Sequence, residues 1–278
     1  MEARTPVEIL AFTSDSGAAK ARRNIPSVLI LAFLAGAFVA FASQGSTMAA
    51  HNLLASPDTY GLGRVLAGTV FGVALMLIVL AGGELFTGNM MIIVAVLDRK
   101  AAVKRMLLNW LLVYAGNLAG SLCIVWMMYY TGLFNASAGL VGGMTIQIAA
   151  GKTALPFHSA FLLGLMCNWL VCLAIWVSFG ARDISGKILA IFFIICLFVI
   201  SGFEHSVANM YYIPAGILAK QNPQWLAMTT AATEQLAGLN WKGFFINNLI
   251  PVTLGNMAGG AGMVGVVYWL AFRERKSN

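Results

Sequence analysis

Charge is scarce in this chain. Of 278 residues only 10% are Asp, Glu, Lys or Arg, while 60% are hydrophobic and the mean hydropathy is +0.83. A soluble fold cannot keep that many apolar side chains from water, so a polytopic membrane protein is the class that remains. Acid is scarcer than base, 10 residues against 17. The basic residues flank apolar segments instead of forming one patch, which argues against a nucleic-acid partner and for a topological role. Cysteine is limited to Cys123, Cys167, Cys172 and Cys196, all inside apolar stretches and without a CxxC pair. They read as small core residues, not as a disulfide frame or metal site. The N-terminus, with Glu2, Glu8 and Asp15 ahead of Lys20, Arg22 and Arg23, lacks the apolar h-region and cleavage site of a signal peptide.

What is present is long apolar runs. A bilayer core takes about 20 apolar residues per helix, and the candidate spans are 27–54, 63–97, 104–131, 155–178, 187–218 and 246–272. The second and fifth are too long for simple spans, and each carries a polar, glycine-containing interruption, "GGELFTGN" (82–89) and "SGFEHSVAN" (201–209). Each is read as two half-helices joined by irregular backbone that must be buried in protein or line a cavity, since lipid satisfies none of its polar groups. Six spans put both termini on one side. The N-terminal segment, the 98–105 and 179–187 connections and the C-terminal tail then share a compartment and hold 13 of the 17 basic residues. The other side has Arg64, Lys152, Lys220 and Lys242. By the positive-inside tendency both termini are cytoplasmic, and the expected location is the cytoplasmic (inner) membrane.

The halves resemble each other. "AFLAG" (32–36) answers "AFLLG" (160–164), Glu84 with Asn89-Met90 answers Glu204 with Asn209-Met210, and "NWLLVYAGNLAG" (109–120) answers "NLIPVTLGNMAG" (248–259). With three spans in each half, the second half enters from the opposite face, an inverted repeat whose path lies where paired broken helices meet. The expected organisation is a cytoplasmic segment 1–25, one six-span domain 26–272 with halves 26–131 and 155–272, and a cytoplasmic tail 273–278. Gly68/Gly72, Gly116/Gly120 and Gly255/Gly259 lie four apart, a spacing that permits close helix approach within a protomer or between subunits.

Two acidic residues, Glu84 and Glu204, fall inside spans, and ionisable groups at membrane depth suggest function by default. The competing role is structural: a carboxylate beside a helix break can accept bonds from the backbone N–H groups freed there. His205 has no counterpart in the first half, where Leu85 follows Glu84. Breaking symmetry with the most titratable side chain points to a job for it. His51 and His158 read as interfacial and solvated.

These motifs carry a resemblance. "GELFTGNMM" (83–91), "NWLLVYAGN" (109–117), "SGFEHSVANMYYIPAGI" (201–217) and "NNLIPVTLGNMAGG" (247–260) are similar to signatures of the formate/nitrite transporter family. The resemblance runs from Pro26 to Arg273. It implies an all-α membrane protein with an aquaporin-like six-span fold, spans two and five broken. It further implies a homopentamer in the lipid bilayer with a pore in each protomer for formate, nitrite or hydrosulfide, and no cofactor or metal. On this resemblance His205 is the pore histidine, Thr87 its hydroxyl partner, Asn168 a nearby polar group and Lys152, in "AAGKTALPF", the vestibule lysine. Phe71 with Leu75, and Phe198, are the apolar constrictions. Phe71, Leu75 and Val79 share a helical face, and stripes so spaced are more often core; Val79 keeps that reading.

The function expected is transport of a small weak-acid anion, formate first, with a hydrogen bond or proton from His205, itself oriented by Thr87 or Glu204. An aquaporin-type neutral-solute channel is the remoter alternative, but paired Asn-Pro-Ala motifs are absent. An enzyme would need a constellation of nucleophile, metal or cofactor ligands, and one histidine without His, Cys or Asp companions is too little.

Overall fold

The computed structural model describes residues 2–273, and every regular element among them is helical. The basic tail residues Arg275 and Lys276 lie outside the described residues. Helix α1 (Pro6–Arg22) opens on a capping box, with Thr5 accepting from the Glu8 amide and Glu8 reaching back to Thr5. Asn24 caps α2 (Ile25–Leu54), and Pro26 sits in its first turn. The chain continues through α3 (Tyr60–Gly82), α4 (Phe86–Leu97), α5 (Val103–Tyr130), α6 (Leu140–Thr153) and α7 (Phe157–Gly180), then α8 (Ile184–Ile200), α9 (Ser206–Ala219) and α10 (Gly243–Phe272).

Five of these, α2, α3, α5, α7 and α10, are long and apolar enough to cross a membrane, and α4 and α8 are shorter apolar helices. This is a multi-pass membrane protein. The two expected interruptions stand where the polar motifs sit: α3 stops at Gly82 and α4 starts at Phe86, while α8 stops at Ile200 and α9 starts at Ser206. Gly82 (φ +96°) and Gly202 (φ +79°) are in the left-handed region, two residues before Glu84 and Glu204 respectively. A side chain there is strained, so glycine lets the chain turn out of one half-helix before entering the next.

Helix α2 packs along α5, and α7 along α10; α2 also meets α3, and α7 meets α8. The glycine pairs explain the close approach. A Cβ at Gly120 would overlap the Phe33 carbonyl, and one at Gly259 the Leu165 carbonyl. Gly116 and Gly255 are similarly closed by Ala32 and Phe161. These are crossings within one protomer, which removes the ambiguity left by spacing alone. Gly72 differs, meeting only ordinary contacts.

Besides short turns of helix at Leu133–Asn135, Pro223–Leu226 and Thr233–Gly238, two longer helices lie outside the expected spans. The stretch between the third and fourth spans contains α6, which packs on α9, and the polar N-terminal segment contains α1, which packs on α4. His51 is buried, with Nδ1 2.8 Å from the Met48 carbonyl one turn back on α2, which corrects the expectation that it is solvated.

Candidate functional site

The breaks are held by asparagines. Asn117 on α5 accepts from the Phe86 amide at 2.9 Å and donates to the carbonyls of Ala32 (2.8 Å) and Glu84 (2.9 Å). Asn256 on α10 does the same with the Ser206 amide (2.9 Å) and the carbonyls of Gly164 (2.7 Å) and Glu204 (3.0 Å). Each primary amide meets one N–H and one carbonyl left open at a break, and its second donor ties the break to a carbonyl of the neighbouring unbroken helix, Ala32 on α2 or Gly164 on α7. The break backbone is also tied sideways, Glu84 N–H to the Leu31 carbonyl at 3.1 Å and Glu204 N–H to the Leu163 carbonyl at 3.2 Å. The expectation that the two carboxylates accept from freed backbone amides is therefore corrected: the asparagines do this.

Glu84 and Glu204 instead anchor side-chain clusters built on the same Glu–Asn–Asn–Lys plan. Asn89 donates to Glu84 (2.6 Å) and Asn109 (2.8 Å); Asn209 donates to Glu204 (2.6 Å) and Asn248 (2.7 Å). Lys20 reaches Glu84 at 2.8 Å, and Lys152 reaches Glu204 at 2.7 Å. Asn109 donates to the Lys20 carbonyl and Asn248 to the Lys152 carbonyl. Arg23 adds a second cation to Glu84 at 3.0 Å. Lys20 and Arg23 were missed by the sequence reading. The signal available was Thr13 and Lys20 recurring as Thr145 and Lys152 at one spacing.

The same bonds correct the register of the "AFLAG"/"AFLLG" match. Leu31 and Ala32 occupy the positions of Leu163 and Gly164, one helical turn on from the alignment by letters. A slip of four residues keeps the same helical face, so small-residue spacing alone does not detect it.

His205 stands at the second break. Its Nδ1 accepts the Ala208 backbone N–H at 3.0 Å, so the ring is itself the N-cap of α9. Its Nε2 lies 2.9 Å from Thr87 Oγ1 on α4. A ring nitrogen that accepts a backbone N–H carries no proton, so the neutral imidazole holds its proton on Nε2 and donates it to Thr87. Thr87, not Glu204, orients the ring. Asn168 on α7 donates to the carbonyls of Thr87 (3.1 Å) and Asn256 (2.7 Å), fixing the threonine without touching His205. Cys172 adds an Sγ contact to the same Thr87 carbonyl at 3.3 Å.

Two cavities approach this centre. One, of about 360 Å³, is lined by Arg64, Lys152, Glu204, His205, Phe71 and Phe198 among others. The other, of about 250 Å³, is lined by Lys20, Arg23, Glu84, Leu85, Ile78 and Val79 among others. They share no lining residue. Phe71 and Phe198 meet edge to face at 5.6 Å, and Phe198 lies 6.2 Å from the His205 ring. Leu75 lines neither cavity and is buried on α3 between Phe71, which faces the first, and Ile78, which faces the second. Val79, read as core, lines the second cavity.

The arrangement is a polar centre closed by apolar side chains, with a charged cavity on each side. Such a site can hold a small polar solute by hydrogen bonds and exclude bulk water. Comparison with known proteins agrees with that form. The family model "Formate/nitrite transporter" matches residues 7–270. The chain is 37% identical to a probable formate transporter of Methanothermobacter thermautotrophicus, over 97% of each chain. It is 34% identical to the formate channel FocA of Escherichia coli K12, over 96% of this chain and 94% of that protein. Among solved structures, a pentameric formate channel with formate bound superposes with a TM-score of 0.79 at 39% identity, covering 90% of this chain and 98% of that one.

Proposed function

This chain belongs to the formate/nitrite transporter family, and from that premise we propose that it passes formate across the cytoplasmic membrane through a pore in each protomer. The observation that carries the reading is the His205–Thr87 pair at 2.9 Å behind the Phe71–Phe198 closure. Relatives named for formate support formate over nitrite or hydrosulfide, which share its charge and small size.

The architecture we infer is six spans in an inverted repeat, with α3/α4 and α8/α9 as the broken spans and both termini cytoplasmic. The paired Glu–Asn–Asn–Lys clusters support it. On this reading α1 is the mate of α6 and 1–25 folds onto the 26–272 channel domain. The pentameric assembly of the similar formate channel supports a homopentamer here. Transport calls for no bond-making by the protein, so it is not read as an enzyme.

Energetics decide the permeant form. Protonating an anion whose pKa is about three units below neutral costs about 4 kcal/mol at pH 7. A bare anion in an apolar layer costs on the order of tens of kcal/mol by Born solvation. The acid is the cheaper species at Phe198. The proton comes from cavity water, because the Nδ1 of the neutral imidazole is committed to capping α9 and its one ring proton, on Nε2, is held in the bond to Thr87. His205 then acts as a hydrogen-bond donor that keeps the Thr87 hydroxyl free to donate to the solute. In proteoliposomes, formate influx is expected to acidify the lumen. His205→Asn is expected to slow the flux at least tenfold while leaving its pH dependence unchanged. Electrogenic, proton-free uptake by the unaltered protein is the result that overturns this reading. Rapid glycerol swelling without formate flux would favour the neutral-solute channel.

A further inference from the structure

The first cavity contains three charged residues, Arg64, Lys152 and Glu204. Lys152 and Glu204 are in contact at 2.7 Å, so an ion approaching from a distance meets them as a neutral pair. Arg64 belongs to none of the ion pairs among the described residues. Its guanidinium instead covers the end of α8, with Nη2 on the Val199 carbonyl and Nε on the Ile200 carbonyl at 3.4 Å. Those carbonyls are the partial negative end of a half-helix facing the cavity, which by itself repels an anion. The second cavity has the same balance by different means: Lys20, Arg23 and Glu84 are its charged residues, again two cations to one carboxylate. The repeated lysines balance the repeated carboxylates, and an arginine outside the repeated set supplies the surplus on each side.

We propose that Arg64, and not Lys152, is the residue that draws the anion into the first cavity, by carrying its net positive charge and covering the α8 carbonyls. Lys152 is a positioning residue that fixes Glu204. The proposal rests on the anion-transport reading above.

The test is initial formate flux into proteoliposomes of the full-length protein, measured against formate concentration at low and high ionic strength. For the unaltered protein the half-saturating concentration rises with salt as the surplus charge is screened. Arg64→Gln is expected to raise that concentration about fivefold at low salt and to flatten its salt dependence, the loss of one steering charge at a cavity mouth. Arg64→Lys is expected to keep the salt dependence, since the charge remains, and to raise the half-saturating concentration less than Arg64→Gln does, since only the bridge to two carbonyls is lost. Gln147→Glu, on α6 in the wall of the same cavity, is expected to reproduce the Arg64→Gln effect by cancelling the surplus. It keeps the test decisive if Arg64→Gln does not fold. The paired variant Lys152→Met with Glu204→Gln leaves net charge unchanged and is expected to keep the salt dependence. Unchanged salt dependence in both Arg64→Gln and Gln147→Glu overturns the proposal, as does its loss in the paired variant alone. No formate flux by the unaltered protein overturns the transport reading instead, and the same assay reads it.

Discussion

At the scale of the residue, two asparagines and one histidine do what two broken helices require. Asn256 makes three hydrogen bonds from full burial, and its loss leaves the Ser206 N–H and the Glu204 carbonyl at the break without this partner. Asn256→Ala is expected to destabilise the protein by about 2–4 kcal/mol, within the range for abandoned buried groups, and Asn117→Ala by a similar amount. Thermal unfolding in detergent checks both, and unequal losses would mean that the two breaks are not held alike. His205 was legible because it lacked a mate. Glu84 and Glu204 were legible as special because so few acids enter the spans. Their partners were not: Lys20 lies 64 positions from Glu84, in a polar stretch whose charge reads equally well as topological. Chemistry at a membrane-depth carboxylate announces itself by cost, whereas the cation that neutralises it comes from outside the span and carries no such mark.

At the scale of the element, the broken spans were legible from hydropathy and punctuation, and the short helices were not. Helix α6 has the length of a loop between apolar runs, and α1 is too polar to register as part of a channel body. Yet α1 is docked at both ends, by Arg4 on the Phe179 carbonyl and by the Lys20–Glu84 pair, with Gly17 against Ile92 and Ala95 between them. Deleting residues 2–23 removes both cations, Lys20 and Arg23, from a carboxylate that is 1% exposed. The expected cost is about 1–3 kcal/mol, reduced from the buried-pair range because Lys20 is partly exposed. Adding Glu84→Gln to the truncated chain is expected to recover part of it. Failure of that rescue, in the same unfolding assay, would show that α1 stabilises by packing alone. The start of α1 is also sensitive to acid. Hydrogen bonds to Thr5 hold the Glu8 carboxyl below its ordinary value, so its contribution is present above that value and is lost as pH falls through the lowered one.

At the scale of the whole molecule, the repeated helix pairs determine which substitutions the protomer tolerates. Gly120 and Gly259 occupy matching crossings, α2 on α5 and α7 on α10, and each lies against a backbone carbonyl that cannot rotate away as a side chain would. Gly120→Val and Gly259→Val must push whole helices apart, and each helix also carries an asparagine that holds a break. Separation at the crossing therefore propagates to the site. Gly82 is the contrast: nothing lies within 4 Å of a Cβ placed there, so Gly82→Ala is expected to cost only the left-handed backbone, about 1–2 kcal/mol. If the crossings served contacts between subunits, Gly120→Val and Gly259→Val would yield folded protomers that fail to assemble. Because both lie inside one chain, they are expected instead to give aggregated or protease-sensitive protein, with no folded protomer on size-exclusion chromatography, while Gly82→Ala elutes as the unaltered protein does. A stable, monomeric Gly259→Val protomer is the outcome that would place the crossing on the outside of the molecule.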